Sequence, residues 1–72
     1  MPARDLTDRE LDVLGGISNG LTYRSIGERL GLSEDSAKRA AHSLFTKLHA
    51  RDRAHAVAIA FRAGLLQLHE EA

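Results

Sequence analysis

Lys38, Arg39 and His42 stand at positions i, i+1 and i+4 of one stretch, and all three offer hydrogen-bond donors. Lysine and arginine suit the O6 and N7 acceptors of guanine, and a histidine serves N7 or a phosphate oxygen. Around them lie hydroxyls and cations of the kind that hold phosphates without reading sequence: Thr22, Arg24, Ser25, Ser36, Ser43, Lys47 and Arg51. The chemistry expected of this set is recognition of duplex nucleic acid. It works only if a helix about as wide as the ~12 Å major groove carries the donors outward.

The elements that must do so are legible. Thr7-Asp8-Arg9-Glu10 reads as a capping box, with a hydroxyl for the orphan amides and a carboxylate three residues on. Leu11, Val13, Leu14 and Ile17 are expected on one side of the helix that follows. Gly15 and Gly16 weaken it by roughly 1 kcal/mol each relative to alanine, a cost that close helix–helix approach would explain. Ser18-Asn19-Gly20 ends it. Thr22 caps a short second helix with Ile26 and Leu30 inward, and Gly31 interrupts. Ser33 caps a third, spanning about 34–49, with Glu34 and Asp35 in the dipole-favoured first turn. Its apolar stripe is Ala37, Ala41, Leu44 and Leu48, while Lys38, Arg39, His42, Ser43 and Thr46 point elsewhere. Asp52 caps a fourth helix carrying Ala56, Val57, Ile59, Ala60 and Ala63 to a break at Gly64, after which Leu65 and Leu66 fold back. Residues 1–5 and 67–72 are expected to fray.

Composition bounds the function. Seventy-two residues make one domain, and with no cysteine there is neither a disulfide nor a thiolate site to brace it. Three aromatics leave the core to Leu, Ala, Ile and Val, which favours helices over a sheet. A core this thin favours completion by dimerisation. Net charge is zero, yet the charge is unevenly placed. Residues 22–53 carry seven Lys/Arg against four carboxylates, a net of +3, whereas residues 1–21 carry two Arg against four carboxylates, a net of −2. Binding responds to the local field rather than to the total. No apolar run nears the ~20 residues of a membrane span, and the amino terminus leads into no signal core, so a cytoplasmic protein is expected. The four histidines have no i, i+4 pair and no cysteine to join them, so no metal or other cofactor is expected. No catalytic triad, phosphate loop or nucleotide fingerprint is present, and a bundle this small has little room for a ligand pocket of ~300 Å³. An enzyme is not expected.

A helix, the turn Leu30-Gly31-Leu32-Ser33 and a longer helix with a polar outer face form a helix-turn-helix pattern. The ordered run Leu6-Thr7-x-Arg9-Glu10, Gly20-Leu21-Thr22-x-x-x-Ile26-x-x-x-Leu30-Gly31-Leu32-Ser33, Ser36-x-Lys38, Lys47-Leu48 and Arg53 resembles the LuxR/NarL-type (GerE-like) family of bacterial transcription regulators over residues 5–66. That resemblance implies DNA binding as a homodimer, with the third helix in the major groove and the fourth at the dimer seam. Ala56, Ile59, Ala60 and Ala63 are the interface residues expected on that basis. It also implies a pairing of Glu10 with Arg53. Most members carry this domain behind a sensor or receiver domain. Some consist of little else, and a chain of this size beginning at Met1 is read as one of those. Three departures stand out. The third helix runs Ser36-Ala37-Lys38-Arg39-Ala40-Ala41 where Thr-Val-Lys-x-His-Val is usual, His49-Ala50 replaces Gly-Val, and Tyr23 replaces a common Asn.

The expectation is therefore an all-α, four-helix helix-turn-helix bundle occupying residues 1–72 as one domain. Its expected role is sequence-specific binding of double-stranded DNA in transcription regulation, in the cytoplasm of a bacterium or in a phage-infected cell, on the nucleoid. RNA polymerase or another regulator is a candidate further partner. The rival reading is a protein–protein adaptor that keeps the fold and grips polymerase, a sigma factor or another regulator. Zero net charge and the alanine-rich third helix are its support.

Overall fold

A computed structural model describes residues 6–66 of the chain as four helices. They are α1 (Asp8–Ser18), α2 (Tyr23–Leu30), α3 (Glu34–Leu48) and α4 (Arg53–Arg62). No strand occurs among the described residues. The expected all-α architecture is the one observed. The expected fraying of residues 1–5 and 67–72 lies outside the described residues.

Each helix begins where a short polar side chain supplies an acceptor. The side chains of Thr7, Thr22, Ser33 and Asp52 accept from the amides of Glu10, Ser25, Ser36 and His55, respectively, and so satisfy donors that have no intrahelical partner. At the first of these the box closes both ways, because the Thr7 amide donates to Glu10 Oε1 at 2.8 Å. Behind each helix the chain turns through a left-handed residue: Gly20, Gly31, His49 and Gly64. After α3 the Ala50 amide reaches the Phe45 carbonyl at 2.8 Å and the His49 amide the Thr46 carbonyl at 3.1 Å, a Schellman closure. His49 makes that turn at φ 55°, with a side chain the conformation disfavours. The missing glycine noted in the sequence thus falls where glycine would fit best.

The core is Val13, Leu14 and Ile17 of α1, Ile26 of α2, Ala37, Ala41, Leu44 and Leu48 of α3, and Ala56 and Ala60 of α4. The α3 stripe matches expectation residue for residue. On α1 the expectation needs correcting: Leu11 is 36% exposed and Glu10 takes the inward place. The reason is angular, since 10, 13, 14 and 17 are spaced i, i+3, i+4, i+7 and 11 is not in that row. Leu65 and Leu66 do return over the bundle as expected, packing at its edge.

Glycine sets two close approaches. A Cβ on Gly16 would stand 2.7 Å from Ile26 Cγ1, so the Ile26 side chain lies directly against the α1 backbone there. A Cβ on Gly27 would lie 2.5 Å from the Leu32 carbonyl oxygen, inside the turn that joins α2 to α3. That turn is drawn tight by the Leu32 amide, which donates to the Gly27 carbonyl at 2.7 Å. Gly15, by contrast, faces open space.

Thermal unfolding should sort these positions. Gly15→Ala is expected to stabilise by up to about 1 kcal/mol, because it gains helix propensity and meets nothing. Gly27→Ala is expected to lose about 1–3 kcal/mol despite the same gain, since its Cβ meets backbone that cannot step aside. His49→Gly should raise the melting temperature, relieving about 1–2 kcal/mol of left-handed strain less the entropy glycine adds to the unfolded chain. Equal effects of the two alanine substitutions would contradict this account of the turn.

Candidate nucleic-acid interface

α2, its tight turn and α3 form the helix-turn-helix unit, with α1 and α4 packed on α3 from behind. Because Ala37, Ala41, Leu44 and Leu48 face inward, the opposite side of the helix wheel faces solvent, while Ala40 and Phe45 flank the stripe half-buried. Lys38, Arg39 and His42 are all exposed. Among the described residues no ion pair or hydrogen bond engages Lys38 or Arg39, and the His42 ring touches only Phe45, at 6.5 Å between centroids. Lys38, Arg39 and His42 are therefore presented together on one side of α3.

Of the residues expected at phosphates, Arg24 and Arg51 are exposed. Thr22, Ser25 and Ser36 sit at the amino ends of α2 and α3, where their hydroxyls are already in local use. Thr22 Oγ1 donates to Ser25 Oγ at 3.1 Å, and Ser33 Oγ donates to Ser36 Oγ at 3.0 Å. Ser43 and Lys47 are engaged with α1. Ser43 Oγ donates to Glu10 Oε2 at 2.7 Å and Lys47 Nζ to Glu10 Oε1 at 2.8 Å, so both reach across to α1, although Ser43 is exposed and Lys47 half-buried. The physical reason is the buried carboxylate, whose charge must be met inside the bundle.

Glu10 is buried at 5% exposure. Burial pushes its carboxyl up, but hydrogen bonds from Lys47, Ser43 and the Thr7 amide, together with the Lys47 charge, outweigh burial and hold it at about 2, below its ordinary 4.5. The expected partner, Arg53, goes elsewhere. Its guanidinium donates to the Leu21 carbonyl at 2.9 Å and lies 5.0 Å from the centre of the Tyr23 ring, tying the start of α4 to the start of α2. Tyr23, one of the departures from the family pattern, thereby gains a role. The signal for the Glu10 cluster was present: a carboxylate in the apolar row of α1 needs a cation, and Ser43 and Lys47, four apart, flank the stripe of α3.

Of the four residues expected at a dimer seam, Ala56 and Ala60 are fully buried in the chain's own core, and Ile59 and Ala63 are half-buried. The first two are corrected to core positions: spaced i, i+4, they share the side of α4 that packs on the bundle, where small side chains let the helix approach closely. The bundle also holds more open space than its size implies. An open groove of about 320 Å³ lies between α1 and α2, lined by Asp12, Gly15, Gly16, Asn19, Leu21, Ile26, Arg29 and Leu30. The two glycines, which bring no side chains, leave it room. Its ionisable lining is one carboxylate, Asp12, and one guanidinium, Arg29. Among the described residues no three His, Cys, Asp or Glu converge as metal ligands, and no helix is long and apolar enough to cross a membrane.

A helix-turn-helix with its donor face open defines a class, and comparison with known families agrees. The family model for bacterial regulatory proteins of the luxR family matches residues 4–60. The chain belongs to that family. It is 40% identical over 65 residues to the uncharacterized transcriptional regulatory protein YxjL of Bacillus subtilis (strain 168), covering 90% of this chain and 30% of that protein. Transcriptional regulatory protein YdfI of the same organism is 40% identical over 63 residues. The probable transcriptional regulatory protein SgaR of Hyphomicrobium methylovorum is 38% identical over 58 residues, 81% of this chain and 28% of that protein. The chain thus spans about 30% of the length of the curated relatives it matches.

The low-lying Glu10 carboxyl predicts a particular pH dependence. Folding favours its charged form, so the stabilisation is complete above about pH 4.5 and is lost as pH falls toward about 2. On the scale of about 1.4 kcal/mol per pH unit, the loss should be on the order of 3 kcal/mol. Urea unfolding of the protein and of Glu10→Gln across that window measures it, and a difference between the two that does not change with pH would contradict the pairing described.

Proposed function

We propose that this chain is a sequence-specific DNA-binding module of a bacterial transcription regulator. The observation that carries the reading is the exposed, unengaged donor set Lys38, Arg39 and His42 on the outward side of α3, the second helix of the helix-turn-helix. A helix so placed enters the major groove while α2 braces it against the backbone. Lys38 and Arg39 then meet guanine O6 and N7, and His42 meets N7 or phosphate. Arg24 and Arg51, with Thr22, Ser25 and Ser36 at the helix starts, hold phosphates and set register. Family membership and the relatives' names, all transcriptional regulatory proteins, support the same reading.

The module acts as a two-fold dimer in the cytoplasm, without a cofactor and without catalysis. With Ala56 and Ala60 occupied by the core, the dimer contact falls to Ile59, Ala63 and their half-buried neighbours on α4. Two recognition helices about 34 Å apart would read half-sites one helical turn apart, on a palindromic or repeated site. RNA polymerase or a second regulator would be engaged from the promoter so occupied.

Two measurements test this. Affinity for a selected duplex should fall linearly in log K against log salt, with a slope that grows with the number of phosphates neutralised. Lys38→Ala and Arg39→Ala should each cost about 1–3 kcal/mol on that duplex and relax base choice. Equal losses on random DNA would assign both residues to phosphates. A protein that binds no duplex even at low salt is the adaptor instead.

A further inference from the structure

The outward face of α3 carries an acceptor as well as donors. Asp35, Lys38, Arg39 and His42 are spaced i, i+3, i+4, i+7, so they form one row, and all four are exposed. Asp35 has the spacing to pair with either cation, yet no ion pair joins them and no hydrogen bond engages its carboxylate among the described residues. Nor is it needed to cap the helix, because Ser33 accepts from the Ser36 amide at 3.0 Å. Glu34 alone would give the first turn a negative charge. What remains is a carboxylate at the leading end of the row that the DNA-binding reading directs toward base edges.

A carboxylate facing bases is selective because most of what it meets repels it. Guanine shows two acceptors in the major groove, adenine an acceptor beside its amine, thymine an acceptor and a methyl. Cytosine shows a single N4 amine, the partner a carboxylate suits. The same helix holds no asparagine or glutamine, so it has no side chain for the bidentate contact that picks adenine.

We propose that Asp35 is a specificity-determining residue: its carboxylate accepts from the N4 amine of a cytosine adjoining the guanines read by Lys38 and Arg39. The half-site is then a short block of G·C pairs with guanine on one side of a fixed cytosine. The carboxylate also repels phosphates, and so weakens binding to DNA that lacks the cytosine. The inference rests on the DNA-binding reading and adds to it which base pairs that face accepts.

The experiment is selection from a random duplex pool with the unaltered protein, Asp35→Ala and Asp35→Asn, followed by titration of the winning duplex and of random DNA. Circular dichroism confirms helix content for each. The unaltered protein should enrich guanine positions and one cytosine position. Asp35→Ala should lose the cytosine position alone, discriminate on the order of tenfold less at that pair, and bind random DNA more tightly. Asp35→Asn should move that one position toward adenine, a switch that removal of a dipole-favoured charge would not produce. Retention of the cytosine by both variants, or an equal weakening of every position, overturns the proposal. Failure of the unaltered protein to bind any duplex overturns the DNA reading itself, and this inference with it.

Discussion

A single buried carboxylate, Glu10, governs how α3 is held. It sits at 5% exposure in the row of α1 that otherwise contributes Val13, Leu14 and Ile17 to the core. An unpaired charge there would cost several kcal/mol, so the bundle is obliged to deliver a cation and further donors to that point. Both come from α3, as Lys47 and Ser43, and the Thr7 amide completes the set. Apolar contact alone would let α3 slide or roll against α1 at small cost. Two side chains four residues apart, converging on the two oxygens of one carboxylate, fix its rotation. That rotation determines which residues of α3 look outward.

A second constraint acts at the turn before α3. Gly27 and the left-handed Gly31 let the chain reverse within a few residues, and the Leu32 amide closes on the Gly27 carbonyl. Arg53 adds a tie from α4 to the Leu21 carbonyl and the Tyr23 ring, bracing the start of α2 from the far side. The unit is therefore held at both ends by polar contacts of defined direction. A core built largely of alanine and leucine would specify its geometry less sharply. In this light the alanines that thin α3 are less disruptive than their volumes suggest. Ala37 and Ala41 are fully buried in a helix that packs against α1, α2 and α4.

The interface obtained is electrically local. The chain is neutral as a whole, and its most internal acid is cancelled by Lys47, which removes one cation from the basic stretch around α3. What faces solvent on α3 is a short row of mixed sign rather than a broad cationic field. Such a surface suits discrimination between partners more than indiscriminate attraction to polyanions.

The helices, their caps and the inward stripe of α3 were determined by sequence, because each depends on residues three or four apart. Thr7, Thr22, Ser33 and Asp52 announce their helices locally, and an apolar row at helical spacing has one way to face. Where the contact joins distant residues the sequence misled: Glu10 pairs with Lys47, not Arg53, and Ser43 donates to the same carboxylate. Ala56 and Ala60 likewise read as surface for a partner, until the packing of α4 against α3 used them. A side chain's neighbours along one helix follow from periodicity. Which of several cations meets a buried carboxylate depends on the angles between helices, and those exist only once the bundle is assembled.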